Sequence, residues 1–382
     1  MHSYTFNSET GQFERGIPNQ PWGRLGLIVL LVVAAATAGW ELYWRGQGYE
    51  PSYDGTESSW AEFRAKAQNA GPEYTIITGS SRALFDIDLA TWRAETGNPN
   101  VIQLAKEGAA PQPIVRDLIE NTDFAGTLIV SVAPGLFFSK RAMGDGDSEG
   151  LVKHYHNWSP AQKMEHWANL LMEPTFAFVE KGELNLGSLL AETRLPERPE
   201  FLAGFDRVPK LSNDTRERQA RMWNKAVTDT AYANRFRGIW VGFSSRTGPL
   251  MRPAEYAKAK AKTLSGAFNP VPPPFRVSPA ERDSIFRVIK SWADKLHARG
   301  GKMIFVRPPS SGVLYDLEEF EVPRKETWDR LLEITGVPGI HFEDHPELQG
   351  FELPEWSHLR AEHAPLFTRA LAKQFQICLQ KK

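Results

Sequence analysis

The longest charge-free apolar run of the chain lies near its start. From Leu25 to Trp40 it reads LGLIVLLVVAAATAGW, and Leu42, Tyr43 and Trp44 continue it past Glu41. That is close to the ~20 residues a membrane-spanning helix needs. Trp22 on one side and Trp40, Tyr43 and Trp44 on the other stand where amphipathic rings settle at the headgroup layer. The pattern predicts a transmembrane helix over residues 24–44, behind a polar tail 1–23 and ahead of a linker 45–57. Two readings compete with it. A buried core helix usually keeps a polar stripe, which this run lacks. A cleaved signal peptide would use Ala36-Thr37-Ala38 as its small-x-small site, but the polar leader before Arg24 is long for one. Arg15 and Arg24 precede the run and only Arg45 follows closely, a bias toward an N-terminus inside. The expectation is a single-pass protein of the cell inner membrane whose soluble domain, residues 58–382, faces the periplasm or the outside.

Beyond the linker, short apolar runs bounded by turn residues alternate with helical patterns, which predicts an α/β fold with a mostly parallel sheet covered by helices. The expected strands are Tyr74–Thr78, Val101–Leu104, Thr127–Ala133, Lys302–Val306 and Gly339–Phe342. The clearest helix starts after Ser278: Pro279 suits the first helical position, Glu281 completes a capping box, and Ile285, Val288, Ile289, Trp292 and Leu296 form one apolar stripe. Gly300-Gly301 stops it. A C-terminal helix carries Leu366, Phe367, Ala370 and Leu371 on its apolar side. Between about residues 136 and 276 the alternation is lost and tryptophan-bearing helical pieces, Pro160–Leu171 and Asp214–Ala231, replace it. This reads as a large helical insertion closed by the stiff run Pro270-Val271-Pro272-Pro273-Pro274.

Composition narrows the function classes. With 45 Lys+Arg against 46 Asp+Glu the chain has a formal charge of −1, and lacks the basic footprint of a nucleic-acid binder. A single cysteine, Cys378, excludes an intrachain disulfide framework and any multi-cysteine metal site, and fits either redox compartment.

Two segments carry candidate chemistry. In Ile76-Ile77-Thr78-Gly79-Ser80-Ser81-Arg82 an apolar strand runs into Gly-Ser-Ser and then a helix-like stretch. A serine there lies at the C-terminal edge of the sheet, where open α/β folds bind ligands, and helix-start N–H groups can meet an oxyanion. A serine in such a turn is also a common turn former or helix cap. Near the other end, Leu353-Pro354-Glu355-Trp356-Ser357-His358-Leu359 holds a histidine suited to act as general base, with a carboxylate three residues earlier to orient it. A surface or helix-capping histidine is the plainer reading.

Together these segments resemble the SGNH (GDSL-type) hydrolase superfamily. Gly79-Ser80-Ser81 is similar to its Gly-Asp-Ser block, with Ser80 in place of the aspartate, and Glu355-Trp356-Ser357-His358 is similar to its Asp-x-x-His block, with glutamate for aspartate. The resemblance implies a flavodoxin-like, SGNH-type sheet sandwiched by helices, Ser81 as nucleophile, and His358 with Glu355 as base and orienting carboxylate. Ala105-Lys106-Glu107-Gly108-Ala109 resembles the block whose glycine N–H helps form the oxyanion hole, which implies that role for Gly108. The Gly-x-Asn-Asp block expected after the third strand is absent; the sequence there is Ser131-Val132-Ala133-Pro134-Gly135. The likeness covers roughly residues 70–135 and 277–375. It is nearest to single-pass members that accompany membrane O-acyltransferases in the acylation of envelope glycans. It implies an esterase or acyltransferase without cofactor acting on an acylated glycan or small ester, with a membrane O-acyltransferase as a possible partner; the alternative is a non-catalytic accessory subunit on the same scaffold.

Arg82, beside the nucleophile, and Arg307, at the end of the fourth strand, could hold an anionic substrate group or pair with a structural carboxylate. Trp158, Trp167, Trp223 and Trp240 could stack on sugar faces or pack in the core. His154 and His156 would point the same way on a strand, with His166 farther on, but no nearby carboxylate or cysteine completes a metal-ligand spacing; His341-Phe342-Glu343-Asp344-His345 is denser in ligand types and reads at least as well as a polar strand-to-loop exit. Asn157-Trp158-Ser159 and Asn213-Asp214-Thr215 fit the N-glycosylation pattern, which such short motifs match by chance.

Overall fold

The computed structural model describes residues 20–138, 147–179, 209–245 and 278–380, with two short strands, Thr5–Asn7 and Gln12–Glu14, ahead of them. The chain divides into two units, Met1–Glu50 and Pro51–Lys382. The proline run at 270–274 lies outside the described residues.

In the first unit the two short strands pair antiparallel, and the apolar run forms one helix, Trp22–Gly46. It extends the predicted span by two residues at each end. Its 25 residues give a length of about 37 Å, more than the ~30 Å hydrocarbon layer. Its most apolar window has a mean hydropathy of 2.1 and is only 6% buried, unlike the core helix of a soluble protein. The helix is long and apolar enough to cross a membrane. Glu41, the one acid near its end, is paired to Arg45 one turn on. Trp40, Tyr43, Trp44 and Tyr49 touch ring to ring, with centroids 5.1 to 6.0 Å apart, and form an aromatic cluster at that end.

The second unit is built on five parallel strands: β1 (Thr75–Thr78), β2 (Val101–Gln103), β3 (Thr127–Ser131), β4 (Lys302–Arg307) and β5 (Gly339–His341). Their spatial order is β2-β1-β3-β4-β5. All five predicted strands are present, with ends differing by one or two residues. Ile77 lies opposite Ile129, and Ile129 opposite Ile304. The sheet is covered on both faces, so these strands are buried along nearly their whole length, which explains their unbroken apolar runs. The order reverses between β1 and β3, and in such sheets ligands bind in the crevice outside the strand C-termini at that point.

The helix Pro279–Ala298 starts as predicted. Ser278 Oγ accepts from Glu281 N–H, and the Glu281 carboxylate accepts from Ser278 N–H. It ends where Gly301 N–H reaches back to Leu296 O at 3.0 Å. Ile289, Trp292 and Leu296 join the core, but Val288 is exposed and Phe286 is buried instead. The C-terminal helix Ala364–Gln380 likewise buries Phe367 and Leu371 but leaves Leu366 outside, its inner face running Ala364, Phe367, Thr368, Leu371, Ala372, Phe375.

The middle of the chain is less purely helical than the sequence suggests. Pro160–Met172 is a helix, but Asp214–Ala231 is not one element: Ser212–Asp214 pairs antiparallel with Ala220–Met222, and short and long helices, Asn224–Thr228 and Thr230–Ser245, follow. The helix Asp147–His156 packs on Glu57–Gln68 and Gln112–Asn121 and gives Leu151 and Val152 to the main core, so it belongs to the covering layer of the sheet. On a helix His154 and His156 do not share a face. They bond Ser58 Oγ (3.1 Å) and Asp117 Oδ1 (2.8 Å) respectively, while His166 bonds Glu62 Oε2 (2.8 Å).

Candidate active site at the sheet switch point

β1 ends in a turn that only glycine fits. Gly79 has φ 152°, and a Cβ built on it would stand 2.6 Å from Ser131 Cβ and 3.0 Å from Ser131 O on β3. The chain then turns through Ser80 into the helix Ser81–Asp86, so Ser81 is its first residue, at the C-terminal edge of the sheet next to the switch point. N–H groups that open a helix lack a carbonyl four residues back, and here Ala83 N–H bonds to Ser80 O at 3.0 Å. Thr78, Ser80 and Ser131 bring buried hydroxyls without hydrogen-bond partners to the same strand ends.

The sheet and the C-terminal loop bring three of the candidate residues together across more than 270 positions of sequence. His358 Nε2 lies 2.7 Å from Ser81 Oγ, and His358 Nδ1 lies 3.0 Å from Glu355 Oε1. Glu355 and His358 are buried, while Ser81 is partly exposed. Glu355 Oε1 also accepts from the backbone N–H groups of Ser357 (3.2 Å) and His358 (2.6 Å), which fixes the carboxylate against its own loop. Its other oxygen accepts from the indole N–H of Trp240, carried by the helix Thr230–Ser245. The Trp240 ring also meets His358 edge-on at 5.9 Å, and the Phe85 ring packs against the imidazole at 4.4 Å.

The loop that carries Glu355 and His358 is strained and held. Trp356 adopts φ 78°, a left-handed conformation that costs a bulky residue on the order of 1–2 kcal/mol. Ser311 N–H bonds Trp356 O at 2.9 Å, and the Arg237 guanidinium sits over the Trp356 ring at 5.2 Å while donating to Pro354 O. Arg82 Nε donates to Ser357 Oγ at 3.3 Å.

The two candidate arginines take the structural role. Arg82 Nη2 lies 2.6 Å from Glu318 Oε1, and Arg307 Nη2 lies 2.7 Å from Glu318 Oε2, with all three side chains buried. Ser310 Oγ donates to the same carboxylate at 2.7 Å. Burial alone would raise the Glu318 pKa, but the two guanidinium groups outweigh it and hold the carboxyl below its usual range. Burial brings Arg307 down to about 10, against the pull of Glu318. Both arginines are therefore engaged behind the site, and holding an anionic substrate would require breaking a buried pair.

Gly108 lies in the loop that follows β2. It is exposed, in a left-handed turn (φ 64°) after β2. Its loop is tied to the serine turn through Lys106 N–H to Gly79 O (3.1 Å), yet among the described residues no hydrogen bond joins Gly108 to Ser81. After β3, where an asparagine donor is expected by resemblance, the chain supplies Ala133 and Pro134, neither with a polar side chain and the proline without an N–H.

Sequence reasoning missed Asp86, five residues past Ser81. It is fully buried beside the triad, with Oδ1 accepting from Leu359 N–H (2.9 Å) and Oδ2 without a partner. Burial raises its carboxyl to about 7, against the opposing pull of His358, the Leu359 N–H and Arg82. It also missed Glu318 and the Trp240 bond to Glu355, which join residues 236 and 115 positions apart in sequence and leave no local signal. Among the described residues no group of three or more His, Cys, Asp or Glu side chains could hold a metal ion.

Compared with known proteins, the chain matches no family's sequence pattern, no curated protein and no solved structure. Fold and site together define an α/β domain with a Ser-His-Glu constellation at the switch point of a five-stranded parallel sheet.

Proposed function

We propose that the domain is an SGNH-like serine esterase or O-acyltransferase acting on acyl groups of an envelope glycan. The observation that carries the reading is the continuous chain Ser81 Oγ, His358 Nε2, His358 Nδ1, Glu355 Oε1, with steps of 2.7 and 3.0 Å. Ser81 attacks the acyl carbonyl while His358 takes its proton, and Glu355 stabilises the imidazolium that forms. Backbone N–H groups around Ser81, at the start of the helix Ser81–Asp86, and that of Gly108 serve as donors for the oxyanion in this reading. The tetrahedral adduct collapses to the acyl-enzyme as the ester's alcohol leaves with the proton from His358; water or a sugar hydroxyl then attacks the acyl carbon, His358 takes its proton, and collapse of that adduct returns the proton to Ser81 Oγ. The chemistry uses no cofactor. The glycan, the inner-membrane location with the domain outside, and an O-acyltransferase partner rest on the resemblance and on the N-terminal helix.

One observation favours a second reading, a non-catalytic accessory subunit: Ala133 and Pro134 stand where an oxyanion-binding asparagine is expected. A single such donor is worth roughly 3–4 kcal/mol of transition-state stabilisation. The deciding experiment treats the full chain in detergent, beside Ser81→Ala and His358→Ala, with a fluorophosphonate probe and with p-nitrophenyl acetate. The enzyme reading expects labelling and turnover that both variants abolish. Wild type indistinguishable from Ser81→Ala in both assays transfers the assignment to the accessory subunit.

A further inference from the structure

Outside the N-terminal helix, the exposed large apolar side chains of the described residues are Met164, Trp167, Leu171, Met172, Val288, Phe320, Leu366 and Ile377. The last four are scattered over three helices and are ordinary surface. The first four fall on one helix, Pro160–Met172, with exposures of 73, 63, 75 and 42%. Their spacing, i, i+3, i+7, i+8, places them on a single face. The opposite face is seated: His166 is the buried residue of the helix, 2.8 Å from Glu62 Oε2 on the helix Glu57–Gln68 and edge-on to Trp158 at 5.8 Å. This helix therefore turns its apolar stripe outward and its buried imidazole inward, the reverse of an ordinary surface helix.

We propose that this face rests in the interfacial layer of a lipid bilayer, with Trp167 at headgroup depth and Met164, Leu171 and Met172 against the upper acyl chains. Chain connectivity selects lipid as the occupant. The helix Glu57–Gln68, to which His166 locks the striped helix, is the first element after the helix Trp22–Gly46. Gln47, Gly48 and Tyr49 N–H bond back to carbonyls at the end of the N-terminal helix, and Ser52 and Tyr53 pair with Asp214, so the connection is well short of the ~36 Å that residues 47–56 could span fully extended. The domain is thus tethered close to any bilayer that holds the N-terminal helix, and tethering turns a weak contact into an effectively intramolecular one. The composition agrees: a tryptophan with flexible apolar side chains on one face and polar residues on the other is the make-up of an interfacial helix. Lys163 and Glu165 cancel beside the stripe, so apolar burial drives the contact rather than attraction to anionic lipid. This inference rests on the membrane anchoring proposed above and is independent of the chemistry at Ser81.

The test uses the full chain in phosphatidylcholine vesicles, in a Cys378→Ser background, with single cysteines introduced by Met164→Cys, Leu171→Cys and, as reference, Asp294→Cys on the exposed side of Pro279–Ala298. Each is labelled with bimane and read against lipid carrying a nitroxide near the headgroup and against aqueous iodide. Expected is at least twofold stronger lipid quenching, with weaker iodide quenching, at 164 and 171 than at 294. Equal lipid quenching at all three positions overturns the proposal. So does protection from iodide without lipid quenching, which means that protein or glycan covers the face.

Discussion

Glu318→Gln tests how the ground behind the candidate site is held. Two guanidinium groups and one carboxylate meet there, all buried, with pair distances of 2.6 and 2.7 Å. The cluster carries a net charge of +1. Glutamine keeps the volume but leaves two arginines facing each other without an anion, whereas Arg307→Met leaves the Arg82–Glu318 pair balanced. Removing one partner of a buried pair costs roughly 3–5 kcal/mol, mostly through the uncompensated charge left behind. Glu318→Gln strands two charges, so its cost belongs at about 5 kcal/mol, while Arg307→Met, which strands none, belongs at about 1–3 kcal/mol. Urea unfolding of the full chain in detergent, followed by near-UV circular dichroism, measures both. The sign of the pH dependence follows from the Glu318 pKa, which is held below its ordinary value of 4.5. The stabilisation it confers is complete above that value and is lost as pH falls through the folded pKa, so the gap between wild type and Glu318→Gln should persist at pH 7 and close only in acid. Arg307→Met proving as costly as Glu318→Gln, or a gap independent of pH down to pH 3, would refute the charge argument.

Three further outcomes follow from the site. Gly79→Ala pushes a Cβ to 2.6 Å from Ser131 and should cost about 3 kcal/mol with loss of Ser81 labelling; an unchanged urea midpoint would show that the β1 turn is not the constraint described here. Trp240→Phe keeps an aromatic ring against His358 but removes the N–H given to Glu355; a bond to a charged group is worth about 1.5–3 kcal/mol, so the fluorophosphonate rate should fall by roughly ten- to a hundredfold, and an unchanged rate means that Trp240 does not orient the carboxylate. Asp86 is raised to about 7 from 3.8, so the folded state holds a proton that the unfolded state has released, and the stability this group contributes is full below about pH 4 and lost as pH rises through about 7. Asp86→Asn mimics the protonated form; its urea midpoint should gain on wild type across that window and keep the gain at pH 8, and parallel profiles for the two proteins would exclude the linkage.

Much of the framework was legible in sequence because the relevant signals are local. The apolar run of the N-terminal helix, the five apolar strand segments and the capping box at Ser278 each report on a few neighbouring residues, and each is found within two residues of its expected place. Errors fell where burial depends on what an element packs against. Val288 and Leu366 fit an apolar stripe by spacing yet face outward, and the stretch from Asp214 splits into a hairpin strand, a turn and two helices. Ser81, Glu355 and His358 were chosen from turn context and resemblance, but only the tertiary structure decided that they meet. The same holds for the residues that surround them. Arg82 and Arg307 were open between substrate and structure until Glu318 arrived from a third segment, and Trp240 reaches Glu355 across 115 positions. The sequence by itself determined the N-terminal helix, the five strands of the main sheet and the capped helix after Ser278, since hydrophobic period and capping act over a turn or a pleat. Which charges are compensated and which side chains reach the nucleophile depended on packing between segments far apart in the chain, and a buried charge has its partner set by the fold rather than by its neighbours in sequence.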